Sequence, residues 1–264
     1  MLEIQHLSLT LKKENRPLLR DFSFVLGPRD KAALIGEEGN GKSTLLQALC
    51  RREQVEAYCD VEGRVFTGNS RLGYLAQEMP EEERRLPLRA FFDGVDLYEN
   101  GLLWELELSP DWLESDRPAG SLSGGEKVKA RLARLLAGAP DILLLDEPTN
   151  DLDIPALEWL EGFIRQSSRP ILFISHDETL LENTATVILH LEQVRRKTVP
   201  RHTVAALGYA DYVRARRLGL DKQEQVARKQ RAEYEAQMKR WRQIYDRVDH
   251  EQSAISRQDP GGGR

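Results

Sequence analysis

The chain has 264 residues, 40% hydrophobic and 31% charged, the composition expected of one large globular domain with an extension. No apolar run approaches the ~20 residues that span a bilayer, and the opening MLEIQHLSLTLKK alternates like a strand and lacks a signal-peptide core, so the expectation is no membrane insertion, with any membrane partner a separate chain. The net charge of −5 hides an asymmetry: residues 212–264 carry +5 and residues 1–211 carry −10, which points the basic tail toward something anionic.

Alternation predicts strands near 2–11 and 20–26, fitting a small antiparallel layer at the edge of a sheet. A short buried strand is predicted at 31–35, running directly into Gly36-Glu37-Glu38-Gly39-Asn40-Gly41-Lys42-Ser43-Thr44. That spacing suits a loop whose backbone N–H groups wrap a diphosphate, with Lys42 reaching the terminal phosphates and the Ser43 hydroxyl on Mg²⁺. Residues 43–50 have helical composition, so a helix N-terminus would point at the anion. Glu37 and Glu38 put two negative charges in the loop, tolerable only if they face away from the phosphates. Cys50 and Cys59 form no metal or redox motif, and with no export signal the expected compartment is the cytoplasm.

Further strands are predicted near 61–66 and 71–75, with Gln77 just past the second. A helical stretch should run from about 86 to 137, broken near Ser109-Pro110 and Pro118–Gly120, with Ser121 expected to cap the helix that carries Ser121-Leu-Ser123-Gly124-Gly125-Glu126. The apolar run 141–146 reads as a buried strand, followed by a helix near 155–167, a strand at 170–175, a short helix and a strand near 186–192. Strands alternating with helices, two of them continuous apolar runs, predict an α/β fold on a buried parallel sheet.

Ligands of open α/β sheets bind at the carboxyl ends of the strands. Asp146 ends one strand and would hold Mg²⁺ through water; Glu147 beside it would polarise the attacking water as general base. His176 follows the next strand and is placed to contact a γ-phosphate. Gln77 would bind Mg²⁺ or the lytic water. The candidate metal set is therefore Ser43, Gln77 and Asp146, and the candidate catalytic set Glu147, His176 and Gln77.

The tail from about Tyr209 to Ile255 carries no strand signal. Tyr234, Met238, Trp241, Tyr245, Val248 and Ile255 fall on heptad spacing, a seam that requires a partner helix. Asp259-Pro-Gly-Gly-Gly-Arg264 reads as a turn, expected at the tip of a hairpin whose second helix would follow; a frayed natural end is the other reading.

In order, Gly36–Thr44, Gln77, Ser121–Glu126, Ile142–Pro148, Asn150–Asp153 and His176 resemble the Walker A, Q-loop, signature, Walker B, D-loop and switch histidine of the ATP-binding-cassette family, over residues 1 to about 200. The resemblance implies a P-loop cassette at 1–207 with a helical subdomain at about 78–137. It also implies ATP enclosed between the loop of one cassette and Ser123, Gly124, Gly125 and Glu126 of another. Thr149-Asn-Asp-Leu-Asp153 and Leu75-Ala-Gln-Glu78 resemble the ABC-F branch, whose members pair two cassettes through a basic helical linker. Residues 208–264 are similar to the start of that linker. The branch implies ribosome, rRNA and tRNA as partners, in translation regulation or antibiotic resistance by ribosome protection. The second cassette would lie in the same full-length chain, or in a second copy. An ATPase subunit of a membrane transporter is the alternative. No aromatic residue stands in 1–21 where this family often stacks adenine, leaving Leu9 or Leu11 as an aliphatic shelf.

Overall fold

The structure is a computed structural model and describes residues 1–98, 101–194 and 199–258, with side chains described to residue 242 and at Tyr245. Contacts divide the chain into two compact units, Met1–Tyr212 and Val213–Arg264.

In the first unit, strands β1 (Leu2–Leu11), β2 (Arg16–Leu26) and β4 (Cys59–Phe66) form an antiparallel sheet in the order β2-β1-β4. A second sheet has the order β5-β6-β7-β3-β8-β9, built from β5 (Leu72–Leu75), β6 (Ile142–Asp146), β7 (Ile171–Ile174), β3 (Lys31–Ile35), β8 (Val187–Val194) and β9 (Val199–Ala205). Its strands pair in parallel except β9, which runs antiparallel to β8. Every residue of β6 and β7 is buried. Their apolar runs have no polar face because alternate side chains enter two different cores. Leu143, Leu145, Ile171 and Phe173 join one apolar cluster, while Ile142, Leu144, Leu172 and Ile174 join the other. This is the signature of a sheet covered on both faces.

Helices α1 (Lys42–Cys50) and α2 (Arg52–Glu56) follow β3. The stretch 86–137 contains less helix than its composition suggests. α3 (Glu81–Arg85) precedes it, and within it α4 (Leu88–Phe91) and α5 (Leu102–Glu105) are one-turn pieces, with 3₁₀ turns at Pro110–Glu114 and Ala119–Ser121. Pro87, Pro110 and Pro118 remove donors at the starts of these pieces, and Gly94 and Gly101 take left-handed φ values of 72° and 66°. Only α6 (Gly124–Ala137) is long. Ser123, rather than Ser121, is its N-cap, and Ser121 instead hydrogen-bonds Arg117 and the Pro118 carbonyl. The cause is Glu126, which completes a capping box with Ser123 and draws the helix start two residues later.

α7 (Ile154–Gln166) is capped by Asp153 and α8 (Glu178–Thr184) by Asp177. β9 was not expected from the sequence. α9 (Tyr209–Gln258) is a single 50-residue helix, and along it Tyr234, Met238, Trp241 and Tyr245 are exposed. The seam positions Val248 and Ile255 lie outside the residues with described side chains, and the turn at 259–264 lies outside the described residues. Among the described residues, no helix is long and apolar enough to cross a membrane.

Candidate functional site: a phosphate loop facing two carboxylates

β3 delivers the chain into the loop and α1 takes it away. At Gly36 (φ 147°) a Cβ would stand 2.2 Å from the Leu191 carbonyl oxygen, so only glycine lets β8 pack this closely. Asn40, 1% exposed, donates to the same carbonyl at 3.0 Å. Gly41 (φ 88°) is the N-cap of α1, which has neither a side-chain cap nor an acidic residue in its first turn, an N-terminus suited to binding an anion. Lys42 is buried and donates to the Gly36 and Glu37 carbonyls at 2.7 and 3.1 Å. Burial pushes its pKa down, against the pull of Glu147, Glu38 and Asp146. Glu37 and Glu38 are exposed.

Asp146, 1% exposed at the end of β6, accepts from Ser43 Oγ at 2.9 Å and from Tyr74 Oη at 2.8 Å. Burial pushes its pKa up, and both hydrogen bonds oppose that shift. Glu147 takes a left-handed φ of 47°. Its Oε2 accepts from Gln77 Nε2 at 3.0 Å and from Asn150 Nδ2 at 3.1 Å, and its Oε1 lies 3.6 Å from His176 Nε2. Five candidates therefore fall into two groups: Ser43 with Asp146, and Glu147 with Gln77 and His176. Gln77 is engaged by Glu147, not by Ser43 or Asp146. The hard oxygens of Ser43 and Asp146, adjacent and partly buried, fit a divalent cation that favours oxygen.

The segment Ser123–Glu126 stands elsewhere on the unit. A Cβ on Gly124 would lie 1.9 Å from the Asp151 carbonyl oxygen and one on Gly125 2.6 Å from Ala156 Cβ, so these glycines admit the Asn150–Asp153 loop against the start of α6. Of the two leucines expected as an aliphatic shelf, Leu9 is fully buried in the core, because its position on β1 faces inward; Leu11 is half-buried at the strand's end.

Two residues that touch the site, Tyr74 and Arg16, escaped the sequence reading, and a third, Asn150, was read only as the start of the D-loop segment. Tyr74 lies on β5, which pairs with β6 residue for residue; Asn150 reaches back three residues to Glu147; and Arg16 donates to the Gly39 carbonyl at 3.2 Å. Only Asn150 carried a signal, its place immediately after the Walker B segment.

A covered parallel sheet, a glycine loop closing on a helix N-terminus and two carboxylates at the adjoining strand end define a P-loop nucleotide-binding domain. Comparison with known proteins narrows this class. The family model described as "ABC transporter" matches residues 19–150. The ATP-binding protein Uup of Escherichia coli K12 is 31% identical over 228 residues, covering 72% of this chain and 35% of Uup. Uup of Caulobacter vibrioides is 38% identical over 183 residues, covering 69% of this chain and 29% of its own length. The chain thus spans about a third of the length of these curated relatives. The fold is shared with the ATP-binding cassette MJ0796, solved as a dimer in a post-hydrolysis state bound to ADP and Pi, at a TM-score of 0.56 and 21% identity over 79% of this chain and all of that one. The chain belongs to the ATP-binding-cassette family, and its relatives are ATP-binding proteins of the ABC-F branch.

Proposed function

We propose that the chain is a Mg²⁺-dependent ATP-hydrolysing cassette, at 1–207, of a cytoplasmic ABC-F protein that acts on the ribosome, with residues 208–264 in the basic helical linker and a helical subdomain at about 78–137. The observation that carries the reading is Glu147, a carboxylate held by Gln77, Asn150 and His176 beside the partly buried pair Ser43 and Asp146.

In this reading the N–H groups of Gly36–Thr44 bind the β- and γ-phosphates, and Lys42 exchanges its two neutral carbonyl partners for phosphate oxygens of opposite charge. Ser43 and Asp146 would hold Mg²⁺, which would neutralise phosphate charge, and Gln77 would be the further oxygen donor to that ion if released from Glu147. Glu147 accepts a proton from the attacking water and His176 contacts the γ-phosphate. Ser123, Gly124, Gly125 and Glu126 complete the site of a second cassette, supplied by the same full-length chain or by another copy. The ribosome, rRNA and tRNA are assigned as partners through the basic face of α9, where Arg228, Lys229, Arg231, Lys239, Arg240 and Arg242 can track phosphates; the biological outcome is translation regulation or ribosome protection from antibiotics.

The test is Glu147→Gln. Steady-state ATP hydrolysis should fall by about 10²-fold or more, as when a general base is removed, while ATP affinity is kept. Normal turnover by this variant would refute the assignment of the base.

A further inference from the structure

Away from the phosphate loop, Arg51 between α1 and α2, together with β5, α3, α4 and α6, lines an open cavity of about 270 Å³. Three guanidinium groups line it. Arg51 lies over the Tyr74 ring at 5.3 Å and Arg134 over the Phe91 ring at 5.0 Å, so both are held in place by aromatic faces. Arg131 reaches in from α6 and donates to the Ala76 and Glu78 carbonyls at 2.5 and 3.1 Å. Against these three cations stands one lining carboxylate, Glu83, 3.4 Å from Arg134. Among the described residues no carboxylate pairs with Arg51 or Arg131. Arg51 and Arg134 are exposed, so the cavity opens to water.

We propose that this cavity is a second anion site, taking a terminal phosphate or pyrophosphate group of a small molecule through Arg51, Arg131 and Arg134. An excess of two positive charges matches a terminal phosphate, which carries about −1.5 to −2 at neutral pH. Guanidinium forks bind phosphate oxygens in pairs. The volume lies just under the roughly 300–1,000 Å³ of pockets for drug-sized ligands, so the occupant is small. Binding has a consequence for the first site, which rests on the ATPase reading above. Arg131 clamps the carbonyls on either side of Gln77, and a phosphate competes for it as a charged acceptor that the guanidinium fork can bind in pairs, where each carbonyl is neutral. An occupied cavity therefore loosens the segment that delivers Gln77 to Glu147.

The probe is inorganic pyrophosphate, titrated into the full chain carrying Lys42→Ala to disable the phosphate loop, with the arginine Nε–H signals followed by NMR. The expected result is saturable binding that moves the signals of Arg51, Arg131 and Arg134. Adding Arg51→Ala and Arg134→Ala should weaken it by at least about tenfold, with circular dichroism unchanged. If that pair of changes unfolds the chain, Arg51→Lys with Arg134→Lys should still weaken binding, since lysine loses the fork. Binding to the wild type that disappears with Lys42→Ala would overturn the proposal, because the probe then occupies only the phosphate loop. So would binding indifferent to the arginine changes, or displacement of pyrophosphate at lower concentration by an RNA oligonucleotide lacking terminal phosphates. ATP binding by the wild-type chain is measured separately, so failure of the ATPase reading leaves the pyrophosphate result readable.

Discussion

Glu147 has two amide donors on one oxygen and a histidine near the other, and the difference between the two amides is instructive. Gln77 stands 70 residues away on a segment clamped by Arg131, whereas Asn150 is three residues along the same loop. If Gln77 leaves to join the cation, Asn150 remains as the donor that keeps Oε2 occupied and Oε1 turned toward the phosphate side. Asn150→Ala should therefore lower kcat by about 10-fold, the scale of losing one hydrogen bond to a charged group, without changing KM for ATP. Steady-state kinetics check this, and an equal change in KM with kcat intact would assign Asn150 to nucleotide binding instead. Tyr74 shows the same kind of dependence on tertiary contact. It meets Asp146 only because β5 and β6 pair in register, so nothing at position 74 alone announces it.

At the scale of elements, two local devices hold the site's supports. Ser123 and Glu126 cap α6, and Ser123→Ala should destabilise the fold by about 1 kcal/mol, read as a lower midpoint in urea unfolding with an unchanged slope. Lys31, buried at the start of β3, donates to the Ser167 and Arg169 carbonyls ahead of β7. Burial pushes its pKa down from 10.5 to about 8. Between those values the unfolded chain holds a proton on Lys31 that the folded chain has released, so stability rises with pH across that window. Compared with Lys31→Met, the wild type should gain stability between pH 8 and pH 10, measured by urea unfolding at both; no difference in slope between the two would show Lys31 charged throughout.

These elements also explain what was legible. The phosphate loop and the two buried strands follow rules that act within a few residues, so their positions could be read directly. β9 could not: Val199-Pro-Arg-His-Thr-Val-Ala205 contains a proline and only partial alternation, and it is a strand because it pairs with β8 along the sheet edge. The stretch 86–137 carried helix-forming composition, yet prolines and two left-handed glycines divide its part ahead of α6 into single turns. Ser121 and Ser123 both suited a cap, and the choice depended on the reciprocal bond from Glu126. Gln77, Glu147 and His176 were each placed by strand ends, but that all three meet around one carboxylate depends on the strand order β5-β6-β7.

At the scale of the whole molecule, two features ask for a partner. Ser123–Glu126 packs on the chain's own Asp151 and Ala156, presenting a helix N-terminus suited to another cassette's γ-phosphate. Separately, Tyr234, Met238, Trp241 and Tyr245 are 64%, 38%, 64% and 74% exposed along one seam of α9, apolar surface that favours helix pairing whether or not nucleotide is present. Only the first association depends on ATP, and that difference makes the two separable. The decisive measurement is the solution mass of the Glu147→Gln chain with and without Mg-ATP, compared at one protein concentration. The account predicts an ATP-dependent doubling of mass, on top of whatever the seam contributes, that is lost when Gly124→Ala drives a Cβ into the Asp151 carbonyl. ATP bound at full occupancy with no change in mass would contradict a nucleotide site completed by a second copy of this chain.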